Sequence, residues 1–289
     1  MSEKTEKKYF SADKKIGIIG GEGAMGKLFA RFFTRRGFRV MVSDLGTKLD
    51  NKELAGQADI LVFSVPLHKT TEIISETIPY IRKDRLLLDL SSLKVNPVGE
   101  MLKSSAGVIG LHPMFGPQVS SFRGQKIILC PARAEESAIG ELENLFTVEG
   151  AKTKRTTPEE HDKMMAVIQV LMHFSTIIMG RTLRELNIDI EESLEYTSPI
   201  YRLEMNFISR LFAQDASLYG AMAMQNPHSE KVLAGLSESF EKYREFIKEK
   251  NLSDYIDDFG KTSEFFGDFS ADAMKTGNKI LDFLISENK

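Results

Sequence analysis

The chain has 289 residues, 42% hydrophobic and 27% charged, which suits a soluble globular protein large enough for two domains. A net charge of −3 with scattered basic residues excludes the electrostatic footprint of a nucleic-acid-binding protein. The single cysteine, Cys130, excludes an intramolecular disulfide and a cysteine-built zinc site, and no metal site is expected; its setting "KIILCP" reads as a buried strand.

In chain order, the opening "MSEKTEKKYFSADKK" is charged and lacks the apolar core of a secretory signal, so residues 1–13 are expected to form a flexible tail. From Lys15 to about Arg155, the runs "KIGIIG", "RVMVSD", "DILVFSV", "RLLLDL", "GVIGLH" and "KIILCP" alternate with helix-length segments. Short runs that are apolar on both faces predict parallel strands covered on both sides. The fold class is therefore α/β, with a doubly wound, Rossmann-type domain over residues 14–156.

Beyond Thr156 the strand-like runs stop. Thr157 as N-cap, Pro158 at the first helical position and Glu160 closing a capping box predict a long helix over 158–187. Its apolar stretch "MMAVIQVLMHFSTIIMG" contains Gln169, His173, Ser175 and Thr176, which fits a buried helix of a soluble protein better than a membrane span. A cytoplasmic protein with neither membrane nor nucleic-acid partners is expected. Ser198 and Pro199 start another helix, and Val232, Leu236, Phe240, Tyr243 and Ile247 form a helical stripe. A last helix is expected over 270–286. Residues 157–289 thus read as an all-α domain, whose generous apolar surface permits helix-to-helix dimerisation.

Directly after the first strand, Gly21, Gly23 and Gly26 form G-x-G-x-x-G and open a helix. The first glycine permits the tight turn, the second lets the backbone approach a pyrophosphate, and the third lets helix and strand pack closely. The helix N-terminus offers free N–H groups to the phosphates. Asp44 closes the second strand, where a carboxylate accepts both ribose hydroxyls and repels a 2′-phosphate, favouring NAD over NADP. Ser64 and Pro66, in "SVPLH", end the third strand and are expected to line the dinucleotide pocket.

Ligands of open α/β sheets lie outside the carboxyl ends of the strands, so "DLSSLK" and "GLHPMFGP" place Ser92 and His112 toward the nicotinamide end. A histidine near its ordinary pKa is a good general base at pH 7, although His112 alone reads equally as a satisfied turn histidine. His68 and His228 read as solvated.

Taken in order, "GGEGAMG", "DLSSLK", "GLHPMFGP", "EEHDKMMAVIQVLMHFST", "SPIYRLEMNFISRLFAQDASLYGAM" and "FFGDFS" resemble prephenate dehydrogenase. The likeness is greatest to the dehydrogenase half of bifunctional chorismate mutase–prephenate dehydrogenases. Only a short stretch precedes the first strand, so no mutase activity is expected. The resemblance implies hydride transfer from prephenate to NAD+ with loss of carbon dioxide, giving 4-hydroxyphenylpyruvate in tyrosine biosynthesis. It also implies a homodimer formed through the helical domain. By motif, His112 matches the catalytic base and Ser92 the hydroxyl-orienting serine. Arg210 matches the arginine that grips a substrate carboxylate, with Arg202 in support; bidentate pairing suits guanidinium to that task. His173 matches a pocket histidine, and Gln214 and Tyr219 match positions near the substrate. His161 is expected to bind substrate or to be structural at the domain junction, and Lys94 to reach the cleft or to be solvated. Arogenate, which carries an amino acid side chain on the same ring, is the alternative substrate. A non-catalytic NAD-binding regulator would have damaged the base or the arginine, yet His112, Ser92 and Arg210 are all present.

Overall fold

A computed structural model of the chain describes residues 8–287. They fall into two units: one reaches Ala166 and regains Gly220–His228, and the other holds Val167–Tyr219 and the residues from Ser229 onward.

The first unit is built on a seven-stranded sheet. Its elements are β1 (Lys15–Ile19), α1 (Ala24–Arg35), β2 (Arg39–Ser43), α2 (Asn51–Gln57), β3 (Ile60–Phe63), α3 (Leu67–Thr77), β4 (Leu86–Asp89), α4 (Val95–Met101), β5 (Gly107–Pro113), β6 (Lys126–Arg133), α5 (Glu136–Thr147), β7 (Lys152–Arg155) and α6 (Pro158–Met165). The strand order is β2-β1-β3-β4-β5-β6-β7. Alternate residues of each apolar strand face opposite sides, which is why both faces carry helices. On one face Ile16, Ile18, Val62, Leu88 and Leu111 pack with Phe29, Phe32 and Phe33 of α1 and Phe146 of α5. On the other, Ile19, Leu61, Phe63 and Leu87 pack with Leu54 of α2, Ile74 of α3 and Met101 of α4. Cys130 is fully buried in β6, and burial pushes its thiol up to about 12.

Three features of the strands and the N-terminal stretch differ from the sequence expectations. The run "KIILCP" is not parallel to its neighbour: β6 runs antiparallel to β5. Only residues 114–125 join them, without a helix, and a parallel return needs a crossover. The polar stretch "KTKR" forms β7, parallel to β6 at the sheet edge, with no apolar run to announce it. Of the expected tail, residues 1–7 lie outside the described residues. Beyond them, the backbone N–H groups of Tyr9 and Phe10 donate to the Glu141 carboxylate of α5 at 3.2 and 2.8 Å, and Phe10 meets Phe38 edge-on, which anchors this stretch.

By compactness the first unit extends ten residues past the expected 156/157 division, to Ala166. The reason is that α6 buries His161, Asp162 and Met165. The Thr157 cap forms, its hydroxyl accepting the Glu160 N–H at 3.2 Å.

The second unit is helical. A π-helical turn over Ala166–Leu171 leads into α7 (Met172–Glu185), followed by α8 (Ile190–Glu195), α9 (Pro199–Phe212), α10 (Ala216–Gln225), which passes back into the first unit at Gly220, α11 (Ser229–Glu249), α12 (Leu252–Phe266) and α13 (Asp268–Glu287). The expected Ser198 cap is present, accepting the Tyr201 N–H. By length and composition alone, the helical run Pro158–Glu185 could cross a membrane. It is not the buried helix expected from its sequence: only 17% of its apolar window is buried, and Met172, Ile178 and Met179 are exposed. A cavity of about 730 Å³ in this unit is lined by Phe174, Ile178, Met205, Ile208, Leu233 and Phe240. Large apolar side chains such as Phe207, Phe212, Phe259 and Phe283 are exposed around the unit.

Candidate active site

The strand order reverses direction between β1 and β3, the switch point where such sheets bind ligands. β1 runs into Gly20, held at φ +79°, and a Cβ there would stand 2.2 Å from the Ser64 carbonyl oxygen. Gly26 is equally constrained, since a Cβ would meet the Gly20 oxygen at 2.2 Å. Gly23 is the N-cap of α1, with no side-chain cap. By contrast, Asp50, Thr157, Asp189, Ser198 and Asn251 each cap their own helices. The first turn of α1 thus keeps its N–H groups for an anion, as a dinucleotide phosphate requires. Asp44 lies beside this turn: Oδ2 accepts the Glu22 N–H at 2.9 Å and Oδ1 the Leu45 N–H at 2.7 Å. Ser64 is half-buried and donates its N–H to the Ile19 carbonyl at 2.8 Å, while Pro66 is exposed at the start of α3. The glycine turn, Asp44 and Ser64 therefore fit a dinucleotide.

The ends of β4 and β5 hold a buried polar network. Asp89 closes β4, and its Oδ2 accepts from the Ser91 N–H at 3.0 Å, from the Ser91 hydroxyl and from the Lys94 ammonium. This Asx turn folds "SSLK" back over the strand. Lys94 is fully buried, and its Nζ also donates to the Leu111 carbonyl at 2.7 Å. Gly110 gives its stem passage, because a Cβ there would lie 3.0 Å from Lys94 Cδ and 2.7 Å from Val98 Cγ2.

His112, one residue beyond Leu111, is buried, and its Nδ1 lies 2.8 Å from Nε2 of His161. Nδ1 of His161 lies 2.7 Å from Oδ1 of Asp162. That carboxylate also accepts the backbone N–H groups of Lys94 at 2.7 Å and Val95 at 2.9 Å, capping α4 from outside. Asn226 secures the turn of α6 by donating Nδ2 to the Asp162 carbonyl at 2.8 Å. Burial, then the neighbouring His161 and the Lys94 ammonium, hold His112 well below its ordinary value of 6.5. Burial also lowers His161, against the opposing pull of Asp162. The result is a neutral imidazole at a strand end, the state a proton acceptor needs. Ser92 is half-buried in the same turn.

In the helical unit, Arg202 and Arg210 lie on α9, with Arg210 exposed. His173 on α7 meets Tyr219 on α10 edge-on at 4.7 Å. Burial lowers His173 and raises Tyr219, the latter opposed by the charge of Arg210. Gln214 donates Nε2 to the Arg210 carbonyl at 3.1 Å. His173, Arg210, Gln214 and Tyr219 thus belong to one corner of this unit.

Two family models match the chain. Residues 33–155 match the nucleotide-binding domain of prephenate dehydrogenase, and residues 157–261 match its dimerization domain. The chain belongs to the prephenate dehydrogenase family. Among its relatives, the T-protein of Haemophilus influenzae is 37% identical over 268 residues, covering 92% of this chain and 71% of that protein. A probable arogenate/prephenate dehydrogenase of Methanocaldococcus jannaschii is 33% identical over 291 residues, 94% of this chain and 65% of that protein. The fold is similar to that of a crystal structure of Aquifex aeolicus prephenate dehydrogenase in complex with hydroxyphenyl propionate and NAD+. The TM-score is 0.72 at 18% identity, over 86% of this chain and 96% of that one. Synechocystis arogenate dehydrogenase gives 0.67 at 19% identity, over 89% and 99%.

In this member of the prephenate dehydrogenase family, the two residues whose expected roles were left open, Lys94 and His161, are both buried. Lys94 neither reaches a cleft nor is solvated: its ammonium is enclosed between Asp89 and the Leu111 carbonyl. His161 is 1% exposed and partners His112. Sequence reading passed over Gly20, Asp89, Asp162 and Asn226. Only Gly20 carried a local signal, as the glycine that ends the first strand.

The two lowered imidazoles predict the acid side of the stability curve. In the unfolded chain both return to an ordinary value near 6.5, so below that pH the unfolded state binds more protons. The stability from their neutral burial is complete above about pH 6.5 and is lost as pH falls toward the folded-state values. Urea unfolding between about pH 7 and 5 should show stability falling with acidification, with a shallower slope in His112→Gln. An unchanged slope in the variant would contradict neutral burial of His112.

Proposed function

We propose that this chain catalyses the NAD+-dependent oxidative decarboxylation of prephenate to 4-hydroxyphenylpyruvate, with His112 accepting the ring hydroxyl proton. The observation that carries this reading is the buried, neutral His112 at the carboxyl end of β5 in a prephenate dehydrogenase sheet. The dinucleotide, when bound, supplies the hydride acceptor. Gly21, Gly23 and Gly26 shape the turn for its pyrophosphate, Asp44 holds the ribose hydroxyls and disfavours a 2′-phosphate, and Ser64 and Pro66 border it.

His112 takes the hydroxyl proton as hydride leaves the carbon bearing that hydroxyl. The ring carboxylate then departs as carbon dioxide, its bonding pair enters the ring, and the aromatic oxygen recovers a proton. Ser92 orients the hydroxyl. Arg210, supported by Arg202, grips a substrate carboxylate, and His173, Gln214 and Tyr219 border the side chain. The helical unit pairs with a second copy through its exposed apolar faces, a reading supported by the match of residues 157–261 to a dimerization domain.

The purified chain should form NADH from prephenate and NAD+, with 4-hydroxyphenylpyruvate identified by its absorbance. A kcat/KM favouring arogenate by more than about tenfold would reassign the substrate. The His112→Asn variant should lose at least about 10²-fold in kcat with NAD+ affinity nearly unchanged; retained turnover would require another base. In Arg210→Gln, the main effect should be a higher KM for prephenate, and an unaltered KM would remove Arg210 from the carboxylate site. Sedimentation equilibrium should give twice the 32.5 kDa chain mass, whereas a single-chain mass would overturn the dimer.

A further inference from the structure

The buried chain of three side chains constrains which nitrogen of His112 can act. A carboxylate accepts hydrogen bonds and cannot donate, while a neutral imidazole has one donor and one acceptor nitrogen. Both oxygens of Asp162 already take backbone N–H groups, from Lys94 and Val95, so toward His161 this group is an acceptor. His161 must then carry its proton on Nδ1, facing Asp162 at 2.7 Å, and present a bare Nε2. That bare nitrogen faces Nδ1 of His112 at 2.8 Å. Each link reverses the role of the next.

We infer that His161 and Asp162 are positioning residues that lock His112 in the Nδ1-protonated tautomer, so that the lone pair receiving the substrate proton is the one on Nε2. The inference rests on the reading of His112 as the base and gives His161 a task other than gripping substrate. The step breaks the substrate O–H bond and forms His112 Nε2–H, while the Nδ1–H bonds of both imidazoles persist. The opposite tautomer would present an N–H where an acceptor is required, so that part of a freely exchanging imidazole population would be idle.

The surroundings hold this arrangement in one geometry. Asp162 is pinned by the start of α4 and by Asn226, and the His112 and His161 rings meet at 65° with centroids 5.0 Å apart. The ionisable groups that act on the pair are Lys94 at the start of α4, Asp89 on β4 and Asp162 on α6. Lys94 is paired with Asp89. Asp162 is the carboxylate within hydrogen-bond reach of His161.

Nitrogen-15 spectra of histidine-labelled protein read the tautomer without any turnover. At neutral pH, His112 should show a protonated Nδ1 and a bare Nε2; the reverse assignment overturns the inference. In kinetics, His161→Leu should lower kcat for prephenate by about 10²-fold with KM within about threefold. The acid limb of kcat/KM should move, because the partner of the His112 Nδ1–H is gone. His161→Gln, whose Oε1 can accept the Nδ1 proton, should recover about tenfold of the lost kcat. A raised KM with intact kcat would make His161 a substrate ligand, and equal losses in both variants with an unmoved acid limb would make it scaffold; either overturns the inference. If His161→Leu does not fold, the spectra and the glutamine variant decide. Failure of the unaltered protein to oxidise prephenate would refute the functional reading, while the spectra would still test the tautomer.

Discussion

The carboxylate of Asp162 is the point that joins three elements of the first unit. It takes the two N–H groups that open α4, receives His161 from its own helix α6, and through that imidazole reaches His112 on β5. Remove it and α4 loses its cap, α6 loses its hold on the sheet, and His112 loses a defined partner. This one group ties helix capping, packing and proton chemistry together. That is why the first unit keeps α6 as its own although the chain has already turned helical.

The neighbouring Lys94–Asp89 pair follows a different logic. Burying an ion pair costs each charge its hydration, and the mutual attraction rarely exceeds that cost. Here the pair is fully enclosed, and Ser91 and the Leu111 carbonyl supply the remaining hydrogen bonds. Its consequence for the site is electrostatic, because the ammonium lies close enough to lower both histidines. Gly110 is the small residue that makes this burial possible, and a methyl group there would press on the lysine stem.

Much of the sheet was legible because buried parallel strands need apolar residues on both faces, a pattern few other elements produce. Strand direction was not, since apolar runs say nothing of orientation; the short helix-free link before β6 held that information. β7 escaped because an edge strand pairs through its backbone and can be polar throughout. The helix caps at Thr157 and Ser198 were readable because a hydroxyl before proline has few other uses at that position. At the site, glycines and His112 stood out locally. The partnership of His112 with His161 did not, because it joins residues 49 positions apart and depends on how α6 lies on the sheet. Lys94 misled in the usual way: a lysine in a polar turn reads as solvated unless the fold closes over it. The apolar run after Met164 misled too, since apolar composition marks a surface for burial without saying in which chain.

A base held well below its ordinary pKa looks poorly chosen for taking a proton from an alcohol. The proposed chemistry removes the difficulty. As hydride leaves the adjacent carbon, the hydroxyl acquires the character of a protonated ketone and becomes strongly acidic, so a weak base suffices once the transition state is reached. Before that point a weak base has an advantage: it remains neutral at pH 7 and does not lose its lone pair to solvent protons. On the proposed mechanism, burial and the Lys94 charge match His112 to an acid that exists only during hydride transfer. In the proposed reaction the lowered pKa thus serves the chemistry, and the network around Asp162 would keep that neutral imidazole turned the right way.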